Sequence, residues 1–139
     1  MKKGTFIKTA LLFVVLGSML LTACTLRQPD IRLETDQVDL GEIVEGEIIT
    51  RDVLLMNEGN ALLEILSVST SCGCTQASLD STTIPPGESV SLTIEYDSGA
   101  HEVESNASVH RQIFIATNDP VQPEVVINLT ADVLIEPEN

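Results

Sequence analysis

Tryptophan is absent from this chain of 139 residues, and one tyrosine and three phenylalanines are its only other aromatics. Phe6 and Phe13 fall within an apolar leader, which leaves Tyr96 and Phe114 for everything that follows. Sugar-binding platforms and quaternary-amine cages are built from stacked aromatic faces, so carbohydrate binding is not expected. Basic residues are equally scarce. Beyond residue 23 stand Arg27, Arg32, Arg51 and Arg111 against 21 acidic residues, with no lysine and a net charge of −17. Such a surface repels phosphate backbones, which argues against nucleic acid as a partner. The acids do not fall into a D-x-D-x-D-G calcium loop. No G-x-S-x-G elbow, H-E-x-x-H pair, phosphate-cradling glycine loop or paired-carboxylate motif is present, so the expectation is a protein that is not an enzyme.

The first segment does carry a signal. Lys2, Lys3 and Lys8 precede a twelve-residue apolar run from Ala10 to Leu21, well short of the roughly 20 residues that span a bilayer core. It reads as an export signal. Directly after it, Leu21-Thr22-Ala23-Cys24 resembles the bacterial lipobox. That resemblance implies a diacylglycerol on the Cys24 thiol, cleavage before Cys24 and acylation, with palmitate-type chains, of the new amino group. Several acyl chains exceed the two membrane signals needed for lasting attachment. The expected division is a signal at 1–23, a lipidated tether at 24–30, one domain at 31–135 and a tail at 136–139. Thr25 is not the aspartate that retains lipoproteins on the inner membrane of enteric bacteria. By that resemblance the address is an outer membrane or cell surface.

From Ile31 the hydrophobic period is two. Val90, Leu92, Ile94 and Tyr96 alternate with Ser91, Thr93, Glu95 and Asp97, the pattern of a strand with one wet face. Val125, Ile127, Leu129, Ala131 and Val133 repeat it, as do shorter runs around Val53, Leu63 and Ile113. Asn57-Glu58-Gly59-Asn60, Pro85-Pro86-Gly87 and Asn118-Asp119-Pro120 supply turn chemistry between the runs. These signals place strands near 31–41 (broken), 47–57, 62–70, 75–79, 88–97, 109–118 and 123–134. Seven short strands imply an all-β, immunoglobulin-like sandwich of two sheets. Without tryptophan or an intersheet cystine, its core must be aliphatic.

The motifs in order resemble the bacterial immunoglobulin-like family called domain of unknown function 1573, related to the Hydin-type (ASH) domains. They are the Asn57–Asn60 turn, Ser71-Cys72-Gly73-Cys74-Thr75, Pro86-Gly87-Glu88, Tyr96-Asp97 and Thr117-Asn118-Asp119-Pro120. The likeness runs from about Leu40 to Val133 and implies the fold, not an activity. The acidic stretch Ser98–Val109, which contains His101, replaces a shorter glycine-bearing loop.

Cys72 and Cys74 are the only cysteines besides the anchor. In an extended strand, residues two apart stand about 6.5–7 Å apart, too far for a relaxed disulfide, but Gly73 permits a sharp bend. Three readings stay open: a local disulfide or buried thiols, a soft-metal site for Cu(I) or Zn, and a redox-exchanging pair. His101 and His110 are the candidate additional metal ligands, with His101 the one grouped with Cys72 and Cys74 by loop position. No other cofactor is expected beyond the lipid on Cys24. The function expected is a lipid-anchored envelope module that binds another envelope protein or serves a structural role. The alternative is thiol-based metal or redox handling at Cys72 and Cys74.

Overall fold

The computed structural model describes residues 26–100 and 105–135. The leader, the Cys24 anchor, His101 and the tail at 136–139 lie outside the described residues. The described chain is all β: β1 (Ile31–Leu33), β2 (Gln37–Val44), β3 (Ile48–Asn57), β4 (Leu63–Thr70), β5 (Thr75–Leu79), β6 (Thr83–Ile84), β7 (Ser89–Asp97), β8 (Ala107–Thr117) and β9 (Glu124–Leu134). One sheet has the order β1-β3-β7-β5 and the other β2-β9-β8-β4-β6.

Alternation decides which residues lie between the sheets. Val90, Leu92, Ile94 and Tyr96 are buried on β7, as are Ile127, Leu129, Ala131 and Val133 on β9. Fully burying one such aliphatic side chain is worth about 1.5–3 kcal/mol. The core is aliphatic apart from Cys74 and Tyr96.

Nine strands stand where the periodicity counted seven, and the difference has two causes. The first expected strand is divided between sheets: β1 pairs antiparallel with β3, whereas β2 pairs parallel with β9. Between them the Thr35 hydroxyl donates to the Gln37 carbonyl and accepts from the Gln37 N–H, a local turn. β2 also runs past residue 41, because the register shifts between Asp39 and Glu42 at Gly41, whose φ is +70°. That bulge lets Leu40 and Ile43 both face inward. The second cause is β6, a two-residue strand on the β4 edge. At Pro86-Gly87 the turn is as the residues require: Gly87 has φ +79° and Glu88 N–H donates to Pro85 O at 3.1 Å.

Strand direction sorts the loops into two groups. The tether segment from Leu26, the 58–62 turn, the 85–88 turn and the 118–123 loop meet at one end. Asn60 N–H donates to Gln28 O, Gly87 N–H to Asn57 O, and Asn118 N–H to Glu64 O. At the other end lie the 45–47 turn, the Cys-Gly-Cys segment, the start of the 98–106 loop and the end of β9. There Glu45 N–H donates to Leu134 O, Asp97 N–H to Cys74 O, and Ser98 N–H to Glu47 O.

Candidate functional site

Four of the five sequence motifs prove to be structural fastenings. The Asn57 side chain is buried and satisfied on both sides. Its carbonyl oxygen accepts from Gly59 N–H at 3.0 Å and Asp30 N–H at 3.3 Å, and its amide donates to Ala61 O and Ile84 O, both at 2.8 Å. Gly59 is needed for a different reason: a Cβ there would run into Gln28 O and come within 2.6 Å of Asp30 N. Pro86-Gly87 makes its turn, and Tyr96 fills the core. Asp119 is buried and takes Ile31 N–H at 2.9 Å, Val121 N–H at 2.8 Å and Gln122 N–H at 3.2 Å. Burial alone would raise its pKa. The three backbone donors, helped by Arg32, outweigh burial and hold the carboxyl below its usual range.

The fifth motif is left with chemistry that the fold does not use up. β4 ends at Thr70 in one sheet and β5 begins at Thr75 in the other, so residues 71–74 cross between the sheets. The Thr70 hydroxyl lies 2.9 Å from both Cys72 O and Thr75 O, and Thr75 N–H donates to Cys72 O at 3.4 Å. That bend brings the two Cα atoms to 5.3 Å, and Cys72 and Cys74 are joined as a disulfide. Cys74 is 3% exposed and belongs to the core, whereas Cys72 is only partly covered. The Thr75 hydroxyl lies 3.5 Å from Cys72 Sγ and 3.9 Å from Cys74 Sγ.

A cation completes the site, and the sequence reading did not single it out. Arg111 Nε donates to Cys74 Sγ at 3.1 Å. Its Nη1 donates to His110 O at 2.9 Å, which fixes the guanidinium plane against its own strand. Arg111 occupies the inward parity of β8, between buried Val109 and Ile113. A charge at an apolar position of an alternating strand was the signal available in the sequence. The guanidinium also acts on Tyr96: burial raises the phenol's pKa, Arg111 draws it back and Asp97 adds to the rise.

Of the two histidines, His110 is placed, and it stands apart from the cysteines. His110 is exposed on the outward parity of β8, opposite the side that faces Cys74. His101, the third member of the expected Cys72, Cys74 and His101 metal set, lies outside the described residues. Among the described residues no three His, Cys, Asp or Glu side chains cluster in a way that would hold a metal ion. A bonded cystine has no thiolate to ligate one, so a soft metal requires reduction first.

Residues 31–133 match the family described as Protein of unknown function (DUF1573). No curated protein matches the chain. The fold is similar to that of a protein of unknown function from Porphyromonas gingivalis W83, at 30% identity and a TM-score of 0.70. That likeness covers 81% of this chain and 51% of the other, so the chain spans about half the length of that relative. It is also similar to the ASH / PapD-like domain of human CEP192, with TM-score 0.63, 8% identity, and coverage of 80% and 89%. A third likeness is to the YadV chaperone, with TM-score 0.52, 12% identity, and coverage of 78% and 53%. At 8% and 12% identity these two likenesses speak for the fold alone.

Proposed function

We propose, for a chain that belongs to the DUF1573 family, a lipid-anchored module of the cell envelope that binds another envelope protein by strand addition. Cys24 holds the membrane, and β5 offers the docking edge. The observation that carries this reading is the chemistry of the sheet edges. Natural edges are guarded by charge, proline, bulges or shortness. β1 is three residues long and carries Arg32, β2 has Asp39, Glu42 and a bulge, and β6 is two residues followed by Pro85. β5, Thr-Gln-Ala-Ser-Leu, has neither charge nor proline and pairs on one side only, with β7. Asp97 N–H donates to Cys74 O and Asp80 N–H to Ser91 O. The even-numbered residues of β5 therefore spend their backbone groups on β7, Thr75 spends its own on Cys72 O and the Thr70 hydroxyl, and Ala77 and Leu79 turn theirs toward the open edge. An extended segment of a partner fits that ladder.

The test uses the full chain in its own cells. A photocrosslinker at Gln76 should trap one discrete envelope protein. Ala77→Pro removes an outward N–H without touching the β7 pairing and should abolish the adduct while the melting temperature changes little. Cys24→Ala should abolish acyl labelling and membrane retention. An adduct indifferent to Ala77→Pro would overturn strand addition, and a wild-type protein with an unmodified N-terminus would overturn the anchor.

A further inference from the structure

The geometry points to a directional thiol–disulfide exchange site at Cys72–Cys74, in which Cys72 is the sulfur attacked, Cys74 is the leaving group and Arg111 stabilises it. The substrate class is a dithiol carried by another protein. The inference goes beyond the docking reading and needs neither the anchor nor the β5 edge.

Three observations carry it. The two sulfurs differ in access: Cys74 is 3% exposed, while Cys72 is only partly covered. An incoming thiolate therefore reaches Cys72. They differ also in electrostatics. The Arg111 guanidinium lies 3.1 Å from Cys74 Sγ, and among the described residues the polar group at Cys72 Sγ is the Thr75 hydroxyl, at 3.5 Å. Exchange runs faster when the departing sulfur is the better thiolate, and a neighbouring arginine is one of the surroundings that lower a cysteine pKa. The third observation is the cost of placing Arg111 where it is. A charge on the inward face of β8, flanked by buried Val109 and Ile113, is unfavourable unless it meets a partner. A cystine sulfur is a weak acceptor, whereas a thiolate is a full counter-charge. The site as built suits the reduced form of Cys74 better than the oxidised one.

The step balances as follows. A thiolate of the partner dithiol attacks Cys72 Sγ, a bond forms between those two sulfurs, and the Cys72–Cys74 bond breaks. Its electron pair leaves on Cys74 Sγ, which becomes a thiolate facing Arg111. The partner's second thiolate then attacks its own sulfur in the mixed disulfide and expels Cys72, which takes up a proton. The partner dithiol is oxidised to a disulfide and the Cys72–Cys74 pair gains two electrons. Of the two protons the dithiol gives up, one ends on Cys72 and the other in solvent.

The experiment uses the full chain in detergent with dithiothreitol as the dithiol probe, quenched by acid and counted at Cys72 and Cys74 by alkylation and mass. The wild type should be reduced while still folded, and Arg111→Met should slow reduction roughly tenfold, with Arg111→Lys restoring most of the rate. In the reduced protein, the pH midpoint for alkylating Cys74 should move upward in Arg111→Met and that for Cys72 should not. Cys74→Ser should form a mixed disulfide with glutathione disulfide through Cys72, and Cys72→Ser should stay unmodified. Should Arg111→Met fail to fold by circular dichroism, Arg111→Gln supplies the same neutral comparison. Equal rates and pH midpoints with and without the charge, or a mixed disulfide formed preferentially on Cys74, would overturn the assignment.

Discussion

Replacing Asp119 by asparagine keeps the side chain's size but removes the charge that the N–H groups of Ile31, Val121 and Gln122 point at. Losing charge-assisted bonds at a buried site costs about 2 kcal/mol, which in a domain of this size is a fall of roughly 10 °C in melting temperature. The sign with pH follows from the depressed folded pKa, which lies below the ordinary 3.8. The stabilisation is present above about pH 4 and is lost as pH falls through the folded value. Thermal melts at pH 7 and pH 3 should therefore show a larger acid loss in the wild type than in Asp119→Asn. Equal losses would mean that the carboxylate is not the pin. The turn-forming character of Asn118-Asp119-Pro120 is legible in the sequence, but the role of Asp119 is not, because its partner Ile31 is 88 residues away. Arg111 was legible in part: a charge between two apolar positions marks something to explain, but not that Cys74 would stand opposite.

Strand alternation makes the sharpest claim about elements. Ile94 is 1% exposed and neighbouring Glu95 faces solvent. Ile94→Asp buries an unpaired charge and should leave the domain unfolded, while Glu95→Lys should shift stability by about 0.5 kcal/mol or less. Denaturant melts of the two variants check this, and similar losses at both positions would place the inward face wrongly. The longer strands were readable because one face of each is wet, so a period of two survives in the sequence. The division of the first strand was only half readable. That the 31–41 run is broken is visible, but nothing local says where it breaks or that β1 and β2 join different sheets. That choice is made by register with β3 and β9, which are distant in sequence. β6 is not legible in the sequence because two residues carry no period.

At the scale of the molecule, the grouping of loops into two ends follows from strand direction, and the added strands leave it intact. If Cys24 is lipidated, the end bearing Asn60 sits against the membrane and the end bearing Ser105 faces away. Spin labels at Asn60 and Ser105 in vesicle-anchored protein should rank in that order for contact with headgroups, and the reverse order would remove the anchored orientation. The parallel pairing of β2 with β9 has a mechanical consequence for such a tethered body. A pull between the N-terminal tether and the end of β9 draws these two strands past each other along their length. Their register runs from Gln37 opposite Asn128 to Val44 opposite Leu134, and the ladder is loaded in shear, with its bonds sharing the force rather than parting one after another. A domain fastened in this way resists stretching along its long axis far better than peeling from its β5 side.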